Sequence, residues 1–364
     1  MIYRAIGLMS GSSLDGLDIV FAEFNVNAGH WTWEIKAGGT YAYEGDWTQK
    51  LRNAASLSAR DYLSLHAAYG RYLGEGVARF IIEKGLDYQV ALVASHGHTT
   101  VHDPERGVSA QLGDGAQIAA VTGLAVVSDL RSLDVANGGQ GAPIVPLGES
   151  LLFTDFRLFL NLGGIANISV HDGPPVAFDV CPANRVLNAL AQKAGKDYDD
   201  GGKLAAMGTV NAPLLAQLNA LDYYAQPAPK SLANEFGTDV VLPIIEAAGL
   251  STEDALATYT EHVAVQIHEA IEDLLTGNDL QNRRLLVTGG GAFNTFLISR
   301  LREWLEDNNV EIVVADDNLV HYKEALIMAL LGVLRWREEN TALASVTGAR
   351  RDSIGGAIWL GQEA

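Results

Sequence analysis

Ile2-Tyr3-Arg4-Ala5-Ile6-Gly7-Leu8-Met9 opens the chain, followed by Ser10-Gly11-Ser12-Ser13-Leu14-Asp15-Gly16-Leu17 and then Asp18-Ile19-Val20-Phe21-Ala22-Glu23-Phe24. A short apolar run, a turn rich in glycine and hydroxyls, and a second alternating run read as two antiparallel strands. Asn27-Ala28-Gly29 sets off His30–Lys36 as a third strand. The theme returns in the middle of the chain. Arg157–Asn161 reads as a strand, Gly163-Gly164 as a turn, Ile165–Val170 as a second strand, and Asp172-Gly173 turns into Val176–Asp179. Two similar lobes facing one cleft fit that repeat.

Between and beyond these units the pattern alternates strands with helices. Ser58–Lys84 carries apolar residues at helical spacing and stops at Gly85. Val90–Ser95 and Ala125–Asp129 are apolar, β-rich runs of the kind buried on both faces. Ser251 with Asp254 resembles a capping box before a helix that ends at Gly277, and Asn294 is placed to cap another. Leu285–Thr288 reads as a strand running into Gly289-Gly290-Gly291. The expectation is an α/β protein of two lobes, 1–130 with 345–364 returning to it, and 131–344.

Composition agrees with two domains. The 364 residues suggest about two at roughly 150 residues each. The 38 glycines exceed the roughly 25 of average usage, with no collagen period. With 25 Lys and Arg against 44 Asp and Glu, the net charge of −19 argues against nucleic-acid or anionic-membrane partners. The single cysteine, Cys181, excludes an internal disulfide framework and a cysteine-based zinc site. The apolar stretch after Arg4 is too short for a signal peptide, and Ala325–Leu334 is far short of a membrane span, so a soluble cytoplasmic protein is expected.

The glycine turns carry the candidate chemistry. In Gly11–Asp18 the backbone can approach a phosphate closely, and Asp15 and Asp18 can hold a hydrated Mg²⁺. An ordinary hairpin turn reads equally well. Asn161-Leu162-Gly163-Gly164-Ile165-Ala166-Asn167 and Gly289-Gly290-Gly291 are two more turns at strand ends, where nucleotides commonly rest. No Walker P-loop, no complete G-x-G-x-x-G and no G-x-S-x-G elbow occurs, which removes those phosphate scaffolds and a serine hydrolase. Asp179 stands before an expected helix with Pro182 in its first turn, as a base kept ionised by the helix N-terminus or as a plain cap. His96 and His98 share a strand face on this reading, but with His102 they lack a complementing metal-ligand set. Arg131 suits an anionic substrate group, or an ion pair with Asp129 or Asp134.

Taken together, these motifs resemble the anhydro-N-acetylmuramic acid kinase family. The resemblance runs collinearly through residues 7–18, Ser95–Thr99, Val127–Arg131, Gly138–Pro143, Asn161–Asn167, Phe178-Asp179, Gly289–Gly291, Lys323-Glu324-Ala325 and Ser345–Ala349. It implies the two-lobed fold of actin, hexokinases and heat-shock chaperone ATPases, each lobe a mixed sheet flanked by helices, with ATP in the cleft. It implies an ATP- and Mg²⁺-dependent, often homodimeric kinase that hydrolytically opens 1,6-anhydro-N-acetylmuramic acid from cell-wall turnover and phosphorylates its 6-oxygen. By carry-over, Gly11, Ser12, Ser13, Leu14, Asp15, Gly16, Leu17 and Asp18 bind the phosphates with Gly163, Gly164, Gly289, Gly290 and Gly291. Asp179 is the base, and His96, Arg131 and Asn184 meet the sugar. The chain departs from the family pattern at Cys181, Ala183, Asn188 and Asn234, near the expected sugar side. A kinase for a related amino sugar, or a non-catalytic nucleotide or sugar sensor, are the alternatives.

Overall fold

The computed structural model describes residues 1–11, 14, 16–171, 175–228, 230–233, 235–275 and 283–361. Two compact units emerge: Met1–Thr154 with Tyr322–Ala364, and Asp155–His321.

In the first unit, β1 (Ile2–Ser10), β2 (Leu17–Asn27) and β3 (His30–Tyr41) form the antiparallel meander read from the opening stretch. The strands run longer than their apolar cores because cross-strand pairing carries polar residues as well. Next come β4 (Leu92–Ser95), β5 (His98–Asp103), β6 (Val108–Leu112) and β7 (Ala125–Ser128). β4 lies parallel to β1, and β7 parallel to β4. In the second unit, β8 (Leu158–Leu162), β9 (Ile165–Val170) and β10 (Val176–Pro182) repeat the meander, and β11 (Arg284–Thr288) and β12 (Glu311–Val314) add in parallel beside β8. The sheet orders are β13-β7-β4-β1-β2-β3 and β10-β9-β8-β11-β12, with β13 (Ala357–Trp359) an antiparallel edge strand. Without β13 the two orders are the same. That duplicated order is the actin-like ATPase architecture.

The helices follow local rules where the sequence carried local signals. Helix α1 (Ala59–Lys84) is capped by Ser58 Oγ and closed by Gly85 in the left-handed region. α2 (Gly115–Thr122), α3 (Ser132–Ala136), α4 (Val145–Leu152) and α5 (Asn184–Lys193) precede α6 (Thr252–Leu274), which Ser251 caps. Asp254 N donates to Ser251 Oγ at 3.1 Å, and the Asp254 carboxylate also accepts from Thr209 N at 2.7 Å, outside the box. Asn294 caps α7 (Thr295–Leu305) as read, and Gly277 lies outside the described residues.

The boundaries differ from 130/131 and 345. α4 belongs to the first unit because Trp33 donates to the Leu152 carbonyl and Lys323 meets Glu149 at 2.8 Å in a buried ion pair. α3 is tied there by Asp134, which accepts from Thr347 Oγ1 at 2.7 Å. The return begins with α8 (Asp317–Trp336), whose residues from Tyr322 onward belong to the first unit.

α8 sits hard against the centre of the first sheet. A Cβ on Gly7, in the middle of β1, would stand 1.9 Å from the Ala325 carbonyl oxygen. Gly7 is therefore a packing glycine and not part of a ligand turn. Gly7→Ala should lower stability by about 1–3 kcal/mol, as overpacking against backbone does, and depress the urea midpoint accordingly. An unchanged midpoint would mean that α8 is not seated this closely.

Candidate active site

In the first unit, β1 ends at Ser10, and the turn to β2 follows. Ser12, Ser13 and Asp15 lie outside the described residues. Leu14 takes a left-handed conformation, and the Leu17 side chain is buried in the core, so Leu17 can offer a nucleotide only backbone. Asp18 accepts the Thr40 hydroxyl at 2.6 Å across the β2–β3 pair.

Beneath this turn is a polar network that the sequence did not reveal. Ser10 Oγ shares a 2.6 Å hydrogen bond with Tyr43, accepts from Tyr69 at 2.8 Å, and lies 3.3 Å from His98 Nδ1. These residues are scattered along the chain, and only their common burial joins them. Burial also pushes the His98 imidazole below its ordinary pKa.

His96 and His98 do not share a strand face. β4 ends at Ser95, β5 begins at His98, and Gly97 between them is left-handed. His96 turns instead to Arg131, whose Nη2 lies 2.7 Å from Nε2. Guanidinium can only donate, so Nε2 accepts, and Nδ1–H donates to the Gly97 carbonyl at 2.9 Å. The imidazole is therefore neutral: burial, with Arg131 second, pushes its pKa down to about 3. Burial also lowers Arg131, to about 10. The expected partners of Arg131 are engaged elsewhere, Asp129 with Ser132 and Asp134 with Gly141 and Thr347. His102 pairs with Ser109, and among the described residues no cluster of three His, Cys, Asp or Glu could hold a metal.

In the second unit, three sequence-predicted elements converge. Asn184 opens α5 and donates from Nδ2 to the Leu162 carbonyl at 2.9 Å. The Gly289–Gly291 turn is pressed onto the same place: Cβ atoms on Gly289 and Gly291 would meet Leu162 backbone at 2.9 and 3.0 Å. The amides of Ala183 and Asn184 donate to the carbonyls of Gly164 and Gly163. Asn184 thus buttresses both glycine turns. Gly163 and Gly164 behave differently from the packing glycines. Neither is left-handed, and a Cβ on either would find nothing closer than 3.4 Å. The fold itself leaves room for a side chain there.

Asp179 is not a helix cap. It sits within β10, at the bulge between Asp179 and Cys181, and Pro182 ends the strand instead of starting α5. Its carboxylate is fixed by a distant segment: Oδ2 accepts from Leu232 N at 2.9 Å and from Ser231 Oγ at 3.3 Å. No hydrogen bond to Oδ1 is formed among the described residues. Burial raises the carboxyl pKa above its ordinary value, against the lowering effect of those two donors. Leu232 contributes only backbone, so nothing in its side chain could have announced the contact.

The departures from the family pattern also find their place. Cys181 and Ala183 are both fully buried in the apolar core of the second unit, with Leu187 and Leu190 of α5 in the same cluster. Asn188 is half-buried on α5, and Asn234 lies outside the described residues.

Known proteins resemble this chain over nearly its whole length. A curated anhydro-N-acetylmuramic acid kinase of Rhodococcus erythropolis (strain PR4 / NBRC 100887) is 36% identical over 383 aligned positions, covering 98% of this chain and 94% of that one. Among solved structures the likeness is distant. The activator of 2-hydroxyisocaproyl-CoA dehydratase from Clostridium difficile has a TM-score of 0.47 at 16% identity, covering 92% of this chain and 96% of that one. The ethanolamine utilization protein EutJ from Carboxydothermus hydrogenoformans has a TM-score of 0.38 at 13% identity, covering 92% and 89%. Residues 3–361, nearly the whole sequence, match the family described as anhydro-N-acetylmuramic acid kinase, and the chain belongs to that family.

Proposed function

We propose that this member of the family opens and phosphorylates 1,6-anhydro-N-acetylmuramic acid at the expense of ATP, with Asp179 as general base. The observation that carries the reading is the Asp179 carboxylate, with Oδ2 fixed by two donors and its basicity raised by burial. Oδ1 is then the atom that takes a proton from water. The resulting hydroxide oxygen bonds to the anomeric carbon, and the bond from that carbon to the bridging 6-oxygen breaks. The electron pair released on the 6-oxygen forms its bond to the γ-phosphorus, and ADP leaves. No separate acid is needed, because phosphorylation neutralises the leaving oxygen.

Phosphoryl transfer asks chiefly for positioning and charge neutralisation. We assign the ATP phosphates to the backbone of Gly11–Asp18, Gly163-Gly164 and Gly289–Gly291. A Mg²⁺ ion would supply positive charge to the phosphates, held through its waters by Asp15 and Asp18. A hard oxygen donor such as Asp18 fits that ion. Arg131, a cation partly withdrawn from water, suits the carboxylate of the muramic acid, with neutral His96 holding its guanidinium in place. A cytoplasmic homodimer is the setting the family resemblance suggests. Among the described residues no helix is long and apolar enough to cross a membrane.

The decisive experiment incubates the protein with MgATP and the anhydro sugar and identifies the product by mass. A ring-opened sugar phosphate is expected, and ATP binding without turnover on any amino sugar would overturn the reading. Asp179→Asn should cut turnover by about 10²–10⁴-fold, the usual contribution of a general base. The base works only when ionised and its carboxyl pKa is raised, so kcat/KM should fall as pH drops through a value above the ordinary 3.8 of aspartate. Gly164→Ala should leave stability within about 0.5 kcal/mol. Its KM for ATP should rise about 10-fold, equivalent to about 1.4 kcal/mol. An unchanged KM would remove that turn from the ATP site.

A further inference from the structure

The 230–232 segment that holds Asp179 belongs to no helix or strand, so its own anchoring decides where the carboxylate points. Four hydrogen bonds close a ring around it. Asp179 N donates to the Lys230 carbonyl at 3.0 Å. Lys230 Nζ donates to the carbonyls of Tyr223 at 3.3 Å and Tyr224 at 3.1 Å. Tyr223 OH donates back to the Asp179 carbonyl at 2.6 Å. The ammonium also lies 4.9 Å from the centre of the Tyr223 ring, within cation–π range. The far side of the ring is fixed to α6, where buried His262 lies 3.0 Å from the Tyr224 hydroxyl and 2.6 Å from Asn219 Oδ1.

We propose that Lys230 is the positioning residue for the general base: by clamping the 223–224 turn it holds Ser231 and Leu232 N against Asp179 Oδ2. This rests on the reading of Asp179 as the base. Lys230 acts through the backbone, because among the described residues the groups that lower the Asp179 carboxyl are Leu232 N and Ser231 Oγ. A charged donor suits the place, since hydrogen bonds from an ammonium to carbonyls are stronger than neutral ones. Burial lowers the Lys230 ammonium below its ordinary pKa, and the carboxylates of Asp273 and Glu269 on α6 act in the opposite sense, favouring the charged form.

The test is Lys230→Met beside Lys230→Arg, with kcat, both KM values and the pH profile of kcat/KM measured on each. Lys230→Met keeps the length of the side chain and removes its donors. It should lower kcat by about 10²-fold, the scale of a misplaced catalytic group. ATP KM should stay within about twofold, a negligible change in binding free energy. The acid limb should move to higher pH, because a carboxylate that loses its donors is easier to protonate. Lys230→Arg should restore most of kcat and return the limb. Wild-type kcat and limb in Lys230→Met overturn the proposal, as does a loss that leaves the limb in place and is not rescued by arginine. Should Lys230→Met fail to fold, Tyr223→Phe opens the same ring at its other hydrogen bond. It should move the limb in the same direction, and an unmoved limb overturns the proposal. Asp179→Asn separates the two failures. Wild-type turnover there removes the base assignment itself, whereas an inactive Asp179→Asn beside an unaffected Lys230→Met removes only the role of Lys230.

Discussion

Each of the two large sheets is built around a central strand buried on both faces, and this constraint decides where polar chemistry can stand. Ala5, Ile6 and Leu8 of β1 are buried, as are Leu158, Leu160 and Leu162 on one face of β8 and Phe159 on the other. A polar ligand cannot reach such a strand along its length, because it would have to displace apolar packing. It can meet the strand only where the chain leaves the sheet, and at that point each unit places a glycine turn. The rule that ligands bind at the carboxyl ends of strands in open α/β sheets follows from the same exclusion. Gly7 shows how strict the exclusion is, because α8 lies so close to β1 that no Cβ fits between them.

What the sequence made legible was what local chemistry decides. The Ser251 and Asn294 caps each act within three residues, and Gly85 ends α1 by its own backbone. The two meanders were readable because alternation and turn residues are also local signals. Asp179 was misplaced for the opposite reason. Its position before an expected helix suggested a cap, but its partner is Leu232 N, 53 residues further on. The Asp134–Thr347 bond spans 213 residues, and it carries α3 into the first unit. No periodicity announces such contacts. The β5–β6 hairpin escaped notice because His98–Asp103 is polar and its pairing depends on the neighbouring strand.

The glycines were read as one population and divide into two. Gly7, Gly289 and Gly291 are required by the fold, since a Cβ on any of them would collide with neighbouring atoms. Gly163 and Gly164 are not, and a Cβ there would meet its neighbours at ordinary van der Waals distance. A surplus of glycine in composition cannot distinguish these cases. The space around each residue can, and it directs attention to a single turn on β8. The departures at Cys181 and Ala183 are explained in the same way. Both side chains lie in the apolar core of the second unit, where they add buried surface.

A base that works near neutral pH needs two properties that oppose one another. It must be ionised, which favours hydrogen-bond donors and water around the carboxylate, and it must be basic, which favours their absence. In the base role proposed for it, Asp179 would divide the requirements between its oxygens. Oδ2 accepts two donors and keeps the carboxylate charged, and burial raises the basicity that Oδ1 can use. Such a division depends on donors that stay in place, because a mobile donor would rotate to serve both oxygens. An irregular segment cannot supply that rigidity by itself. The closed ring through Lys230 and Tyr223 does, by tying the segment to the backbone of the residue it serves.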